Sequence, residues 1–472
     1  MNRLCDSVAV ACMLFFAQNC AFGQETKVPD RPNIIMIYVD DMGYGDLGCY
    51  GHPVYRTPHL DQLAREGARF TDFYVAQAVC SASRAALLTG CYPNRIGILG
   101  ALGPKAEHGI SDKEVTLAQL LKSQNYHTAI YGKWHLGHHP AFLPTRHSFD
   151  EFYGLPYSND MWPKHPTAGK NFPDLPLIEG EKTIALNPDQ TRLTTDLTTR
   201  TVDFINRHQK EPFFIYLAQP MPHVPLHVSK ERAGKSAGGL YGDVIEEIDW
   251  SVGQILNALQ RTGLSNKTLV LFASDNGPWL SYGNHGGSSG GLREGKGTTF
   301  EGGQREPFIA RWPGVIPAGL VCHQPCMTID ILPTIAQITG AKLPAHKIDG
   351  KSILALLTKP DAPSPHEALY YYWNRELQAV RSGPWKLHLP HTYSSLKSIP
   401  GKDGTPGSYE QQRLPMSLYN LENDPEEKAN LADTEPAVVS RLMKYVEQAR
   451  QDLGDSLTKQ NGSGVREPGR LK

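Results

Sequence analysis

The sequence lacks a charge excess of either sign. Its 472 residues include 47 Lys and Arg against 48 Asp and Glu, a formal net charge of −1. Nucleic-acid-binding domains usually carry a basic excess, and acidic disordered chains contain few hydrophobic residues. Here 40% of the residues are hydrophobic and only 20% are charged. The composition therefore argues against a nucleic-acid partner and against a disordered acidic protein, and it predicts a folded chain.

The sequence also lacks an apolar run of the roughly 20 residues that a membrane-spanning helix needs. A shorter apolar run, Val8–Phe16, follows Arg3 and precedes the small residues Ala21 and Gly23. This order of a basic residue, a short apolar run and small residues is typical of a secretory signal peptide. We predict that residues 1–23 are a signal peptide and that no membrane anchor remains. Export would lead to a periplasmic, extracellular or lysosomal location, depending on the host.

Cysteine is sparse, with eight residues in the chain. Three of them lie in the predicted signal peptide, and the remaining five are Cys49, Cys80, Cys91, Cys322 and Cys326. An odd number of cysteines in an exported protein indicates at least one unpaired thiol. The spacing leaves open how Cys49, Cys91, Cys322 and Cys326 pair.

The chain is rich in alternating strand-like and helix-like segments. Continuous apolar runs, typical of parallel strands buried on both faces, occur at Asn33–Val39, His127–Tyr131, Pro212–Ala218 and Thr268–Ser274. Helical patterns lie between these runs at Thr57–Gly67, Leu117–Gln124, Asp189–His208 and Leu240–Arg261. The alternation predicts an α/β fold with a large, doubly wound, mixed but mostly parallel sheet flanked by helices.

A Pro-rich segment after Pro360 separates this part from a different pattern. Short strand-like runs follow at Ala368–Trp373, Gln378–Arg381, Trp385–Leu389 and Ser417–Leu421, and a helical pattern follows at Ala437–Leu453. We predict an N-terminal catalytic domain over residues 24–360. Residues 366–453 should form a smaller C-terminal subdomain with an antiparallel sheet and one helix, and residues 454–472 a polar tail.

Two of the predicted strands end in oxygen-rich corners. Asp40 and Asp41 follow the first run, and Asp275 and Asn276 follow the last. Ligands of such sheets bind beyond the carboxyl ends of the strands. Three carboxylates and an amide, without thiolate or imidazole, suit Ca²⁺ or Mg²⁺ better than zinc. The alternative is that each acid only caps a following helix, but two doublets in matching positions favour a metal site.

Further polar residues follow the other predicted strands. Lys133 and His135 are two residues apart, which places them on the same side of an extended chain. His223 follows the run that ends at Ala218. A single histidine is more often structural than catalytic. Two histidines and a lysine beside a carboxylate corner nevertheless favour chemistry on an anion, because they supply both charge and protons.

Cys80 is predicted to begin a short helix that ends at Gly90. Arg84 lies one turn after it, on the same face. A helix N-terminus with an arginine can bind an anion, although Cys-x-x-x-Arg alone is a weak pattern that occurs by chance.

Together these motifs resemble those of the formylglycine-dependent type I sulfatases of the alkaline phosphatase superfamily. Cys80-Ser81-Ala82-Ser83-Arg84 resembles the family's Cys-x-Pro/Ala-x-Arg signature. Tyr131–Gly137 resembles its second signature, and Gly295–Gly303 resembles its lysine-bearing loop. The matches run from about Pro32 to Pro313, with a weaker C-terminal part.

The resemblance implies that a maturation enzyme converts Cys80 to formylglycine (3-oxoalanine), whose hydrated aldehyde is the nucleophile. One hydroxyl of the hydrate attacks sulfur and the other later expels sulfate, so water need not attack a crowded centre. The resemblance also implies a set of Ca²⁺ ligands, which are Asp40, Asp41, modified Cys80, Asp275 and Asn276. Mg²⁺ is the alternative metal.

The resemblance assigns roles to the remaining residues. Arg84 and Lys133 would hold the aldehyde hydrate, and His135 would be the base that regenerates the aldehyde. His223 and Lys296 would contact the sulfate and assist the leaving oxygen. Ser158 resembles a further substrate-binding position.

The implied activity is that of a secreted sulfuric-ester hydrolase, similar to the arylsulfatase and N-acetylgalactosamine-6-sulfatase branches of the family. A sulfated saccharide or sulfated small molecule would be the substrate. One alternative is a phosphoester or phosphonate monoester hydrolase, because that superfamily shares the fold and the metal ligands. A catalytically inactive glycan-binding protein is the other alternative, disfavoured because every implied group is present.

Overall fold

The structure, a computed structural model, describes residues 31–359 and 361–471. The predicted signal peptide, residues 1–23, lies outside the described residues. Among the helices within these two ranges, none combines the length and the apolar character needed to cross a membrane.

An 11-stranded sheet forms the centre of the N-terminal part. Its strands are β1 (Asn33–Val39), β2 (Ala68–Tyr74), β4 (His127–Lys133), β5 (Glu151–Leu155), β6 (Pro176–Glu179), β7 (Lys182–Leu186), β8 (Phe213–Ala218), β9 (Thr268–Ser274), β10 (Arg305–Arg311), β11 (Leu320–Cys322) and β12 (Cys326–Met327). β3 (His108–Gly109) lies outside this sheet. The strand order is β11-β2-β10-β9-β1-β8-β4-β5-β6-β7, and β12 also pairs with β2.

The five central strands, β9-β1-β8-β4-β5, are all parallel. β10 runs antiparallel to its neighbours β9 and β2, and β6 and β7 form an antiparallel edge. The predicted mixed, mostly parallel sheet is therefore confirmed. Every residue of β1, β8 and β9 is buried, as expected of strands covered on both faces.

The described part of the chain contains ten α-helices. They are α1 (Pro58–Arg65), α2 (Cys80–Thr89), α3 (Pro93–Ile96), α4 (Leu117–Lys122), α5 (Leu193–Arg207), α6 (Gly239–Arg261), α7 (Glu301–Gln304), α8 (Ile331–Thr339), α9 (Leu354–Thr358) and α10 (Pro436–Leu453) in the described ranges. Alternate residues of β1 enter two separate cores. Ile34 and Met36 pack with α2, α4 and α8, whereas Ile35 and Ile37 pack with α1, α5 and α6. The sheet is thus doubly wound.

The C-terminal part has its own sheet and core. β13 (Leu369–Trp373), β14 (Glu376–Ser382), β15 (Trp385–His388) and β18 (Ser417–Asn420) form an antiparallel sheet, and α10 packs against it. β16 (His391–Leu396) and β17 (Tyr409–Leu414) form a separate hairpin. The small antiparallel sheet with one helix is confirmed. The polar segment after Gly454 returns to the N-terminal part, where β19 (Gly469–Arg470) pairs with β3.

All five cysteines in the described residues are free thiols. Cys80, Cys91, Cys322 and Cys326 are buried, and Cys49 is half-buried. Cys322 pairs in register with Phe70 and Cys326 with Phe73, so the two cysteines lie at different positions along β2.

Near their carboxyl ends, β4 and β5 each carry a glycine whose place no side chain could take. A Cβ on Gly132 of β4 would lie 1.9 Å from the carbonyl oxygen of Ala218 on β8. A Cβ on Gly154 of β5 would lie 1.9 Å from the carbonyl oxygen of Gly132. Only glycine fits at these two positions, and the close approach fixes β4 immediately before Lys133.

Candidate active site

The five central parallel strands all deliver polar side chains at their carboxyl ends. Asp40 and Asp41 follow β1, Asp275 and Asn276 follow β9, and Lys133 ends β4. His223 and Ser158 come from the segments after β8 and β5. The contacts below join most of these residues into one buried cluster.

The oxygen-rich corners predicted from the sequence meet. The backbone N–H of Asp41 donates to Asp275 Oδ1 at 3.2 Å, and Asn276 Nδ2 donates to Asp41 Oδ1 at 2.7 Å. Within the described residues, the buried atoms Asp40 Oδ1 and Asn276 Oδ1 have no hydrogen-bond partner. Buried polar oxygens normally have partners. Two orphaned oxygens beside further carboxylates therefore fit a hard cation.

Cys80 and His223 lie in the same cluster. One potential ligand atom from each of Asp40, Asp41, Cys80 and His223 lies within 4.8 Å of the others, and all four residues are buried. His223, predicted as a sulfate contact, thus lies in the same group of potential metal ligands as Asp40, Asp41 and Cys80. The site could hold a metal ion.

Three cations face the carboxylates, and Arg84 and Lys133 are fully buried whereas Lys296 is half-buried. Arg84 donates to Asp275 Oδ2 through Nε at 2.9 Å, and its Nη2 lies 2.8 Å from the same oxygen. Lys133 Nζ donates to Asp40 Oδ2 at 2.5 Å. Lys296 Nζ lies 2.7 Å from both oxygens of Asp41. Burying a charge is costly unless it is paired. Here each carboxylate of the cluster has a cationic partner.

Two more contacts fix the strand ends. Arg84 Nη1 donates to the backbone oxygen of Lys133 at 3.1 Å, which ties α2 to β4. Lys133 Nζ also donates to Ser158 Oγ at 3.1 Å. Ser158, predicted as a substrate-binding residue, therefore contacts Lys133, which was predicted to hold the aldehyde hydrate.

The buried carboxyl groups of Asp275 and Asp40 have pKa values that are shifted in opposite directions. Burial and the charge of Asp40 raise the pKa of Asp275 to about 7, although Arg84 and Lys133 act in the opposite direction. Burial also acts to raise the pKa of Asp40, but Lys133, His223 and Arg84 outweigh it and hold that pKa well below its usual value. Asp40 is thus the firmly ionised member of the pair.

Cys80 occupies the first turn of α2, a helix whose ten residues are all buried. Burial raises the pKa of its thiol to about 12, despite the nearby charges of Lys133 and Lys296. A thiol nucleophile must ionise to react. The unmodified side chain would therefore remain a protonated, unreactive thiol at neutral pH.

His135 is fully buried beside the cluster, and both of its ring nitrogens lack a hydrogen-bond partner among the described residues. Burial, reinforced by the charge of Lys133, holds the pKa of His135 well below its usual value. The imidazole is therefore neutral and can accept a proton. His135 and Asp41 both have left-handed backbone, with φ of 61° and 66°. Such conformations are uncommon for non-glycine residues and are enriched at functional sites.

His223 and Lys296 flank Cys80 on the side of Trp279. His223 Nδ1 lies 2.6 Å from the carbonyl oxygen of Val224 and must donate to it, which leaves Nε2 3.5 Å from Asp41. Lys296 Nζ lies 3.8 Å from Cys80 Sγ and 4.4 Å from the centre of the Trp279 ring. The ring of His223 is 5.5 Å from that of Trp279.

Sequence reasoning missed two residues of this region, Trp279 and Glu306. Trp279 could have been found from its position three residues after Asn276. Glu306 on β10 is buried with no hydrogen bond to either carboxylate oxygen among the described residues. Burial, then the charges of Asp275 and Asp41, raise the pKa of Glu306 well above the usual value. The only feature of the sequence that could have indicated Glu306 is an acidic residue next to the apolar residues of β10.

Comparison with known proteins agrees with this geometry. The family model described as Sulfatase matches residues 32–341, and the model for the C-terminal region of aryl-sulfatase matches residues 364–466. Arylsulfatase A of Bos taurus is 42% identical over 443 residues, covering 88% of this chain and 86% of that protein. N-acetylgalactosamine-6-sulfatase of Canis lupus familiaris is 40% identical, covering 90% and 87%.

A solved structure has the same fold. The PsFucS1 sulfatase from Pseudoalteromonas sp. superposes with a TM-score of 0.80 at 28% identity, covering 89% of each chain. The family model spans most of the N-terminal part, and the two relatives are about 40% identical over most of the chain. These matches establish the family of the protein. The chain belongs to the sulfatase family and is a sulfuric ester hydrolase.

Proposed function

We propose that the protein is an exported sulfatase that hydrolyses sulfate esters of saccharides, using a formylglycine made from Cys80 and a bound Ca²⁺. The observation that carries this proposal is the state of Cys80. Its sulfur lies within the charged cluster, yet burial raises the pKa of the thiol to about 12. A thiol that does not ionise is a poor nucleophile, whereas a hydrated formylglycine offers hydroxyl groups for attack.

Ca²⁺ would be held by the oxygens of Asp40, Asp41, Asp275 and Asn276, together with the modified residue 80. The orphaned atoms Asp40 Oδ1 and Asn276 Oδ1 support this assignment, as does the hard-oxygen donor set. The bound ion would supply positive charge against the sulfate oxygens. Mg²⁺ is the alternative metal.

Lys133 and Arg84 hold the carboxylates in place and would hold the hydrated aldehyde of residue 80. Lys133 bridges Asp40 and Ser158, and Arg84 bridges Asp275 and the backbone of β4. His135 is neutral because burial and Lys133 lower its pKa. The resemblance assigns it as the base that accepts a proton from the hydroxyl of residue 80 when sulfate is released, and the neutral ring has a nitrogen, without a partner among the described residues, that is free to take that proton.

His223 is the better proton donor to the leaving oxygen. Burial acts to lower the pKa of Lys296, but the charge of Asp41 outweighs it and the pKa rises. A lysine that holds its proton tightly suits sulfate binding rather than proton transfer. His223 keeps Nε2 toward the cluster because Nδ1 donates to Val224. We therefore assign the acid role to His223 and anion binding to Lys296.

The substrate proposal is supported by the relative named N-acetylgalactosamine-6-sulfatase, 40% identical over most of both chains. Export is supported by the basic, apolar and small residues within residues 1–23. The second candidate function is hydrolysis of phosphate or phosphonate monoesters, because a site with buried cations also suits those anions.

The test is chemical analysis of residue 80 together with activity. We expect protein made with a formylglycine-generating enzyme to carry an aldehyde at position 80 and to cleave an aryl sulfate much faster than the matching aryl phosphate. Protein made without the enzyme should keep the thiol and be inactive. A panel of defined sulfated saccharides then identifies the substrate.

The controls separate the parts of the proposal. Cys91→Ala removes another buried free thiol and should leave the aldehyde and the activity unchanged. Chelation should remove activity and Ca²⁺ should restore it. Full activity of protein with an intact Cys80 thiol would refute the formylglycine assignment, and faster cleavage of the aryl phosphate would favour the second candidate.

A further inference from the structure

The loop that carries Lys296, residues 293–301, rests on the C-terminal subdomain. Arg293 at its start donates through Nη1 to the backbone oxygen of Glu427 at 2.9 Å. Thr299 Oγ1 near its end donates to Gln378 Oε1 on β14 at 3.0 Å. The loop is closed on itself by the N–H of Gly302, which donates to the oxygen of Arg293 at 2.8 Å. Both ends of the loop are therefore held by the C-terminal subdomain.

The end of this loop is fixed by a buried ion cluster. Lys386 Nζ on β15 lies 2.8 Å from Glu301 Oε1 and 3.1 Å from Glu427 Oε1. The backbone N–H of Glu301 donates to Glu427 Oε2 at 2.7 Å. The side chains of Lys386, Glu301 and Glu427 are all 0% exposed. His388 completes the cluster, with Nε2 2.8 Å from Glu427 Oε1.

The middle of the loop contacts both parts of the molecule. The ring of Phe300 stacks on His388 with centres 4.9 Å apart. The N–H of Lys296 donates to the oxygen of Pro278, and that of Gly297 to the oxygen of Ala78, each at 3.0 Å. Ala78 is two residues before Cys80. The loop therefore spans the distance between the C-terminal sheet and the first turn of α2.

A buried ion cluster usually adds little to the free energy of unfolding. Replacing such a cluster by packed apolar side chains is often neutral or stabilising, whereas removing one partner leaves an uncompensated buried charge. Loss of the Lys386 ammonium would remove the cation that Glu301 and Glu427 share, and Glu301 would keep only the more distant Arg305, 3.4 Å away. Repulsion between these two carboxylates would act directly on the end of the Lys296 loop.

We propose that Lys386 and Glu427 are positioning residues, which act through the loop 293–301 to place Lys296 Nζ beside Asp41 and residue 80. Neither residue contacts the cluster of carboxylates itself. The C-terminal subdomain thereby helps to set the geometry of the catalytic site. The catalytic part of this inference rests on the proposed role of Lys296 in sulfate binding.

A double-mutant cycle tests the proposal. Lys386→Met keeps the length of the side chain and removes its charge. We expect it to lower kcat/KM for an aryl sulfate by about 10-fold to 100-fold, since small misplacements of a catalytic group have effects of that size. In a Lys296→Ala background the same change should have little further effect. Equal losses in both backgrounds would overturn the proposal, because independent sites are additive in free energy.

The matched control is Arg311→Met, which removes another largely buried cation from its partner. Arg311 Nε lies 2.7 Å from Glu66 at the end of β10 that is remote from the cluster. We expect a loss of stability without coupling to Lys296. If Lys386→Met does not fold, Glu427→Gln, which keeps the size of the side chain, takes its place in the cycle.

Hydrogen exchange provides a readout that does not depend on activity. Amide exchange in residues 293–304 should become faster in Lys386→Met, whereas β1 and β9 should stay protected as in the wild type. Unchanged exchange in this loop would overturn the positioning role even if the protein hydrolyses sulfate esters. Faster exchange in a chain that hydrolyses no sulfate ester would support the positioning and refute the proposed function.

Discussion

His223 is oriented by a single backbone contact. Its Nδ1 donates to the carbonyl oxygen of Val224, so only Nε2 is available to a substrate. Trp279 shields the ring on one side. In its charged form a histidine held in this way carries a proton on Nε2 that it can give to a departing oxygen, and such a proton matters more as the leaving group becomes more basic.

We expect His223→Ala to slow hydrolysis of a sulfated saccharide by about 10-fold more than that of nitrophenyl sulfate, within the usual range of general acid catalysis. A nitrophenolate leaves almost without help, but a sugar alkoxide does not. The measurement is kcat for both substrates in wild type and variant. Equal losses for the two esters would make His223 a binding residue and move the acid role to Lys296.

Some residues of the site could be predicted from the sequence pattern, and others could not. Asp40, Asp41, Asp275 and Asn276 could be placed together because carboxyl ends of parallel strands share one edge of a sheet. Lys296 could be assigned only through the resemblance, because it lies in an irregular loop that is shaped by packing on a distant sheet. That packing has no local pattern in the sequence.

The first turn of α1 is held by a side chain of another helix. Asp249 on α6 accepts hydrogen bonds from the N–H groups of His59 at 3.0 Å and Leu60 at 2.8 Å. Free N–H groups at a helix start need such acceptors. Asp249 is only 3% exposed, and burial raises its pKa to about 7 in spite of these two hydrogen bonds.

This raised pKa makes stability depend on pH. The folded chain holds the Asp249 proton more tightly than the unfolded chain, so its contribution is complete below about pH 4 and is lost as the pH rises toward 7. The upper bound is about 4 kcal/mol, at about 1.4 kcal/mol per pKa unit. Asp249→Asn keeps an oxygen for both N–H groups but does not titrate. We expect its Tm to fall less than that of the wild type between pH 5 and pH 7.5.

The matched control is Asp203→Asn on α5, because Asp203 is exposed. This variant should follow the wild type at every pH in the same calorimetric series. If Asp249→Asn has the same pH dependence as the wild type, another buried acid is responsible.

Whole strands differed in how well the sequence predicted them. β1, β8 and β9 were found because their apolar runs are uninterrupted. β10 was missed because Arg305, Glu306 and Arg311 break its apolar pattern. Arg305 is nevertheless accommodated inside, since it pairs with Asp72 at 3.0 Å. Charges that are neutralised by distant partners make a buried strand look like a surface loop.

Arg466 connects the C-terminal segment to a distant part of the chain, 352 residues earlier. Arg466 forms a bidentate salt bridge with Glu114, in which Nε and Nη2 each donate to a carboxylate oxygen at 2.7 Å. The Glu114 side chain is 2% exposed and that of Arg466 is 26% exposed. The segment after Gly454, predicted only as a polar tail, thus covers a buried carboxylate of the N-terminal part.

We expect Arg466→Met to destabilise the protein by about 2–4 kcal/mol, because it leaves Glu114 buried with its main cationic partner gone. The measurement is the free energy of unfolding in denaturant. Adding Glu114→Gln should recover part of the loss by removing the unpaired charge. Arg470→Met is the control, because its pair with Glu467 is exposed. Wild-type stability of Arg466→Met would show that the C-terminal segment adds nothing to the fold.

The burial of Cys80 bears on when an enzyme could modify this residue, before or after the chain folds. In the folded protein its side chain is 2% exposed and every residue of its helix is buried. The proposed conversion of Cys80 to formylglycine needs an enzyme to reach this side chain, which the folded protein keeps from solvent. On that proposal the conversion would have to precede folding. A chain that folded first would keep its thiol, so the aldehyde fraction of a preparation would record which process was faster.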